Sequence, residues 1–224
     1  MILAIWYLSG VALTLWHGLW LVVRLAEPED GLALGKLRYA DLVAPRRVAA
    51  LLLMALAAQV ATCLAPAPER GLWLVYGSAI AALVWVDACT TWLPATLTWL
   101  VTGELAVAAI VSWWLSAERA TLGAHLVLGA AAAFIMWWLL WRISRGGVGF
   151  GDVRLAPLVG ALAGTAGISG WFAGMIAGSA FGVVWGLTVG KRFPAPGTTR
   201  GFAYGPALWA GAFASLAYGT LSAG

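Results

Sequence analysis

The stretch "VRLAPLVGALAGTAGISGWFAGMIAGSAFGVVWGLTVG", residues 153–190, decides the fold. Apart from Arg154 it carries no charge, and a helix crossing a bilayer needs only about 20 apolar residues, at about 1.5 Å of rise each. The run is too long for one helix, and "GTAGISG" (164–170) is where it breaks into two. The same measure carried outward gives spans at 1–24, 48–65, 71–91, 95–115, 122–143, 153–167, 169–190 and 203–221. A lipid-exposed helix satisfies its own backbone, which makes it the natural spanning unit here. The expected fold is all-α: a polytopic membrane bundle of about eight transmembrane helices forming one domain, residues 1–224.

Composition agrees. The chain is 62% hydrophobic and 10% charged, with a mean hydropathy of +0.91, which excludes a water-soluble domain with a polar surface. The net charge of +4 raises the question of nucleic acid, but the basic residues fall in short loops where topology accounts for them, and no basic stripe remains. Tryptophans near the ends of apolar runs (Trp73, Trp92, Trp99, Trp113, Trp114, Trp137, Trp138, Trp141) suit the bilayer interface, where an indole is half wet, while several tryptophans lie deeper and serve packing alone. The opening "MILAIWYLSGVALTLWHGLWLVV" lacks a positive n-region, and its first basic residue, Arg24, follows the apolar run. It reads as a retained span rather than a cleaved signal. Cys63 and Cys89 lie inside apolar runs without CxxC pairing, as small buried thiols do, so neither a zinc site nor a disulfide framework is expected.

The distribution of Lys and Arg tests the break at 164–170. With eight spans and the N-terminus outside, eleven basic residues are cytoplasmic and only Arg70 and Arg119 are outside. With 153–190 as a single span the ratio falls to eight against five. Eight spans fit better. Residues 25–47 then form a short cytoplasmic loop of mixed charge, and "KRFPAPGTTRGF" (191–202) an irregular cytoplasmic link. Small-xxx-small pairs, Gly174 with Gly178 and Gly178 with Gly182, allow the last helices to approach closely.

Six of the nine acids (Glu27, Glu29, Asp30, Asp41, Glu69, Glu118) fall in loops. Asp87, Glu104 and Asp152 fall in the membrane zone, where an ionisable group is expensive and reads as functional when it has a partner. Asp87 closes a span that runs inward and Asp152 opens one that runs outward, so both belong at the cytoplasmic face. Two carboxylates brought together in a partly dry site share a proton: one stays ionised and activates water, the other polarises a carbonyl. Gly147, Gly149 and Gly151 before Asp152 permit backbone conformations closed to other residues and a close approach of substrate. The alternative is that the two aspartates are structural, paired with arginines such as Arg154. His17 and His125 read as buried, hydrogen-bonded histidines. Glu104 has no partner visible in sequence and could tune the pair, line a cavity or bond another helix. Thr98, Thr102 and Ser112 are of the kind that bridges helices, and no serine-histidine arrangement is discernible.

The segment "GVGFGDVRLAPLVGAL" resembles the GxGD signature of type IV prepilin peptidases, the membrane aspartyl proteases of the leader-peptidase and preflagellin-peptidase family. "VDACTTWLPATLT" is similar to that family's first catalytic segment, and "FAYGPALWAGAF" to the PFGP motif that opens its final helix. The resemblance implies a GxGD-type aspartyl endopeptidase with Asp87 and Asp152 as the catalytic pair, in segments 85–98 and 146–156, with Gly149, Gly151, Arg154 and Pro94 shaping the site. It implies no metal and no cofactor, an inner-membrane location with the site near the cytoplasmic face, and pilin-like precursors with a basic leader and a hydrophobic N-terminal helix as partners. Ala95 replaces the acid that commonly follows Leu-Pro, and Arg154 stands where the family usually has Lys. Residues 25–47 lack the paired CxxC motifs of the larger bacterial members, which puts their second activity, N-methylation, in doubt. The compact form is similar to peptidases of Flp/Tad-type or archaeal systems. A catalytically inactive homologue, or a transporter using the two acids as proton-linked groups, is the rival expectation, although the matching broken helices of a transporter are not found.

Overall fold

The computed structural model of the chain describes residues 1–26, 37–145, 148–190 and 203–222. All secondary structure in them is helical. Six helices are long and apolar enough to cross a membrane: α1 (Ile2–Arg24), α2 (Pro45–Leu64), α3 (Ala67–Thr90), α4 (Ala95–Leu115), α5 (Arg119–Ser144) and, later in the chain, α7 (Gly167–Thr188). Two further helices, α6 (Phe150–Gly164) and α8 (Gly205–Ser222), fall short of that measure. The chain is a multi-pass helical membrane protein by this measure. The run 153–190 does divide, since α6 stops at Gly164 and α7 starts at Gly167, whose φ of +72° only glycine adopts freely. Of the expected loops, residues 27–36 and 191–202 lie outside the described residues. Residues 39–43 form a 3-10 turn whose Tyr39 and Leu42 reach the core.

The helix α3 is the centre of the bundle. About 78% of its apolar window is buried, against 22–33% for the other five candidate spans, whose outward faces carry Leu53, Ile110, Val127 and Ile176. Side chains directed to lipid and side chains directed to neighbouring helices are equally apolar, so polar hydrogen bonds and close backbone approach hold the helices together. Tyr76 of α3 donates its hydroxyl to the Trp209 carbonyl of α8 at 2.7 Å, and the Trp209 indole donates back to the Tyr76 carbonyl at 3.2 Å. Thr14 of α1 reaches the Gly77 carbonyl at 3.2 Å, Ser215 of α8 the Ala163 carbonyl of α6 at 3.1 Å, and the Trp171 indole of α7 the Gly129 carbonyl of α5 at 3.1 Å.

Glycines set the tightest contacts. On α7, a Cβ at Gly174 would lie 3.0 Å from the Gly211 carbonyl oxygen of α8, and one at Gly178 would lie 3.1 Å from that of Ala207. The small-residue spacing on α7 is therefore used as expected. Between α5 and α6, Gly129 meets Gly160 backbone to backbone, an approach that no larger residue permits.

Several expectations need correction. Trp73 and Trp137, placed at the interface by their position near span ends, are 0% and 5% exposed and belong to the core, whereas Trp99 and Trp114 do face outward. Thr98 and Thr102 bond back to the carbonyls of Pro94 and Thr98 on their own helix, as hydroxyls in helices commonly do, and the buried Ser112 hydroxyl has no partner among the described residues. None of the three bridges helices. Cys63 and Cys89 are free but half-buried, not enclosed.

Candidate active site

Asp87 stands in the last turn of α3 and is 5% exposed. Its own carbonyl accepts the Thr91 N–H at 2.7 Å, and Thr91 ends the helix in a left-handed conformation, φ 57° and ψ 29°. For a β-branched residue this is an outlier that costs on the order of 1–3 kcal/mol. The reversal it creates carries the chain through Trp92 and Leu93 to Pro94, which caps α4. The Pro94 carbonyl accepts both the N–H and the hydroxyl of Thr98 at 2.9 Å.

Asp152 stands in the first turn of α6, half-buried, with its N–H donating to the Gly149 carbonyl at 3.1 Å. The two acid-bearing segments touch. A Cβ at Gly151 would lie 3.0 Å from Leu93 Cδ1, so the turn that follows Asp87 rests on the residue preceding Asp152. They meet again at the start of α8. Gly205 donates its N–H to Asp87 Oδ2 at 2.9 Å, and a Cβ there would stand 2.5 Å from that oxygen and 3.4 Å from Leu155, which follows Asp152 on α6. Asp152 also lies within electrostatic range of the Tyr204 hydroxyl, next to Gly205 in the chain. Asp87 thus touches the residue that opens α8, and Asp152 lies within electrostatic range of the residue before it.

The role expected of the two glycines changes, and the alternative that pairs Asp152 with Arg154 does not hold. Gly149 has φ −72° and ψ 142°, ordinary extended backbone, and Gly151 is helical, so neither supplies a conformation closed to other residues. Their contribution is space: Gly151 admits Leu93, and a Cβ at Gly149 would lie 3.5 Å from Asp152 Oδ2. Gly147 lies outside the described residues. Arg154 does not pair with Asp152; its guanidinium lies 5.5 Å from the Phe150 ring centroid, and its Nε has no hydrogen-bond partner among the described residues. Residues two apart on a helix point to opposite sides, which accounts for the separation.

Glu104, in contrast, has a partner, His17 of α1, at 3.0 Å. The two are far apart in the chain, and nothing in the local pattern of either announces the other. Gly205 and Leu93 were likewise unassigned from sequence, although both lie inside the quoted motifs. Among the described residues no group of three or more His, Cys, Asp or Glu is placed to hold a metal ion. Two apolar grooves of about 360 Å³ each, one between α2 and α8 and one among α5, α6 and α7, are lined by neither Asp87 nor Asp152. Compared with family models, with curated proteins and with solved structures, the chain finds no match.

Proposed function

We propose that the chain is a membrane-embedded aspartyl endopeptidase that removes the leader of type IV pilin-like precursors, with Asp87 and Asp152 as its catalytic pair. The observation that supports this reading most is the contact between the two acid-bearing segments, through Leu93 with Gly151 and through Gly205 with Asp87 and Leu155. An acid at the end of one helix and an acid at the start of another lie on segments that meet, within sequence that resembles the GxGD peptidases.

The chemistry needs one water and one shared proton. The ionised aspartate takes a proton from the water as its oxygen attacks the scissile carbonyl carbon. The protonated aspartate gives its proton to the carbonyl oxygen, leaving a tetrahedral diol between the two carboxyls. On collapse a diol proton returns to a carboxylate, the amide nitrogen takes the other carboxyl's proton, and the C–N bond breaks. The pair ends as it began, holding one proton. Throughout, the Gly205 N–H keeps Asp87 oriented.

In this reading the chain crosses the cytoplasmic membrane eight times, with its N-terminus outside and the site at the cytoplasmic rim. The precursor's basic leader lies on that side and its hydrophobic helix in the bilayer. The basic loops hold the site against anionic headgroups. The test is co-expression of a prepilin with Asp87→Asn and Asp152→Asn separately. Each variant inserts and leaves the precursor unprocessed, whereas full processing by either inserted variant contradicts the assignment. A wild type that binds precursor and never cleaves it would favour the inactive-homologue reading.

A further inference from the structure

His17 and Glu104 stand apart from the aspartates and join α1 to α4, both of which pack on α3. His17 is 2% exposed and Glu104 about a third exposed. The Nδ1 of His17 lies 2.8 Å from the Leu13 carbonyl oxygen, one turn earlier on α1, and its Nε2 lies 3.0 Å from Glu104 Oε1. A carbonyl oxygen only accepts, so Nδ1 must carry a hydrogen. Neutral imidazole has a single N–H, and with that hydrogen on Nδ1, Nε2 is a bare acceptor. A bare nitrogen facing a carboxylate oxygen at that distance repels it. The contact therefore needs one more proton, either on Nε2 as imidazolium or on the carboxyl of Glu104. Both arrangements are neutral overall, the state that apolar surroundings favour. Losing that proton leaves two opposed acceptors and a net negative charge within the spans.

Among the described residues, the other titratable groups on the helices around the pair have partners or positions of their own. Tyr7 donates to the Leu56 carbonyl, Cys63 faces the Leu3 carbonyl, Tyr76 donates to Trp209, and Arg24 donates to the Trp20 carbonyl and stacks on that ring. Arg47 donates to the Asp41 carbonyl, Arg119 to that of Trp114, and Asp87 is engaged by Gly205. Of the rest, Arg46 stands at the start of α2 and Arg142 near the end of α5, Glu69 and Arg70 stand at the start of α3 with Glu69 beside Thr165, Cys89 is a half-buried thiol close to Asp87 and Arg47, and His125 lines the groove among α5, α6 and α7. The face beside His17 is closed by the edge-on ring of Trp16, 4.8 Å between centroids.

We propose that His17 and Glu104 form a proton-binding site inside the bundle, whose single dissociable proton ties α1 to α4 and whose loss releases the tie. The test is a pH titration of the full chain in lipid nanodiscs by nitrogen NMR of labelled histidine, with His125→Gln isolating the His17 signals. His17 keeps hydrogen on Nδ1 across the titration, and its Nε2 signal moves with one midpoint. Glu104→Gln preserves the shape and removes the acid, so the midpoint falls by about one pH unit or more, a tenfold loss of proton affinity. Spin labels at the exposed positions Leu8 and Val107, with Cys63 and Cys89 replaced by serine, separate across the same midpoint in an otherwise unaltered chain and are insensitive to pH with Glu104→Gln. An unchanged midpoint in Glu104→Gln, a neutral His17 with its hydrogen on Nε2, or a label distance indifferent to pH overturns the proposal. None of these readouts depends on peptidase activity.

Discussion

At the scale of single residues, Gly205 offers a sharper test of the site than the aspartates themselves. A methyl at this position would fall 2.5 Å from Asp87 Oδ2, too close for any real contact, so Gly205→Ala displaces the carboxylate. Misplacing a catalytic group by about 1 Å costs on the order of 10²-fold in rate, and we expect a loss of that size in cleavage with the protein still inserted. Gly149→Ala is the comparison, because its methyl would make ordinary contact 3.5 Å from Asp152 and most activity should survive. Equal losses in a quantitative processing assay would mean that Gly205 does not position Asp87. A pair that shares one proton also predicts a bell-shaped dependence of kcat/KM on pH, since both the doubly ionised and the doubly protonated forms are inactive. A rate that rises to a plateau without falling would contradict the sharing. The acids were legible in the sequence because charge is conspicuous within apolar runs. The N–H of Gly205 was not, since a backbone donor leaves no trace in residue identity, and helical geometry turns Arg154 away from Asp152, against the alternative that pairs the two.

Among the helices, close packing between α5 and α6 carries the clearest expectation. Gly160→Val would drive a branched side chain into Ala133 and the Gly129 backbone, a rigid pair with no flexible end to give way. Overpacking of this kind costs about 1–3 kcal/mol, to be read as earlier unfolding in a denaturant series in detergent. Gly71→Val is the control, since a Cβ there meets nothing within 4 Å. Equal stabilities would show that α5 and α6 do not pack in this way. The helices themselves were legible to within a few residues, including the break before α7, because apolar length and glycine-rich interruption report directly on spanning and turning. Which face of each helix meets protein was not. In a chain apolar on every side, Trp73 at 0% exposure and Trp99 at 69% look alike in sequence, and only the packing of α3 at the centre separates them.

For the whole molecule, the balance of basic residues predicts sidedness. A cysteine at the exposed Glu118, in a chain with Cys63 and Cys89 replaced by serine, should react with an impermeant thiol reagent from outside intact cells, and one at the exposed Ser144 only after the membrane is breached. The opposite pattern would put Asp87 and Asp152 on the wrong side for a leader that lies in the cytoplasm. The account as a whole is tested most directly by mass spectrometry of the N-terminus of a pilin-like precursor co-expressed with the chain. We predict a new terminus at the cytoplasmic edge of the precursor's hydrophobic helix, formed by the wild type and by Cys63→Ser and absent with Asp87→Asn or Asp152→Asn. The same new terminus formed in full by either inserted aspartate variant would contradict the account.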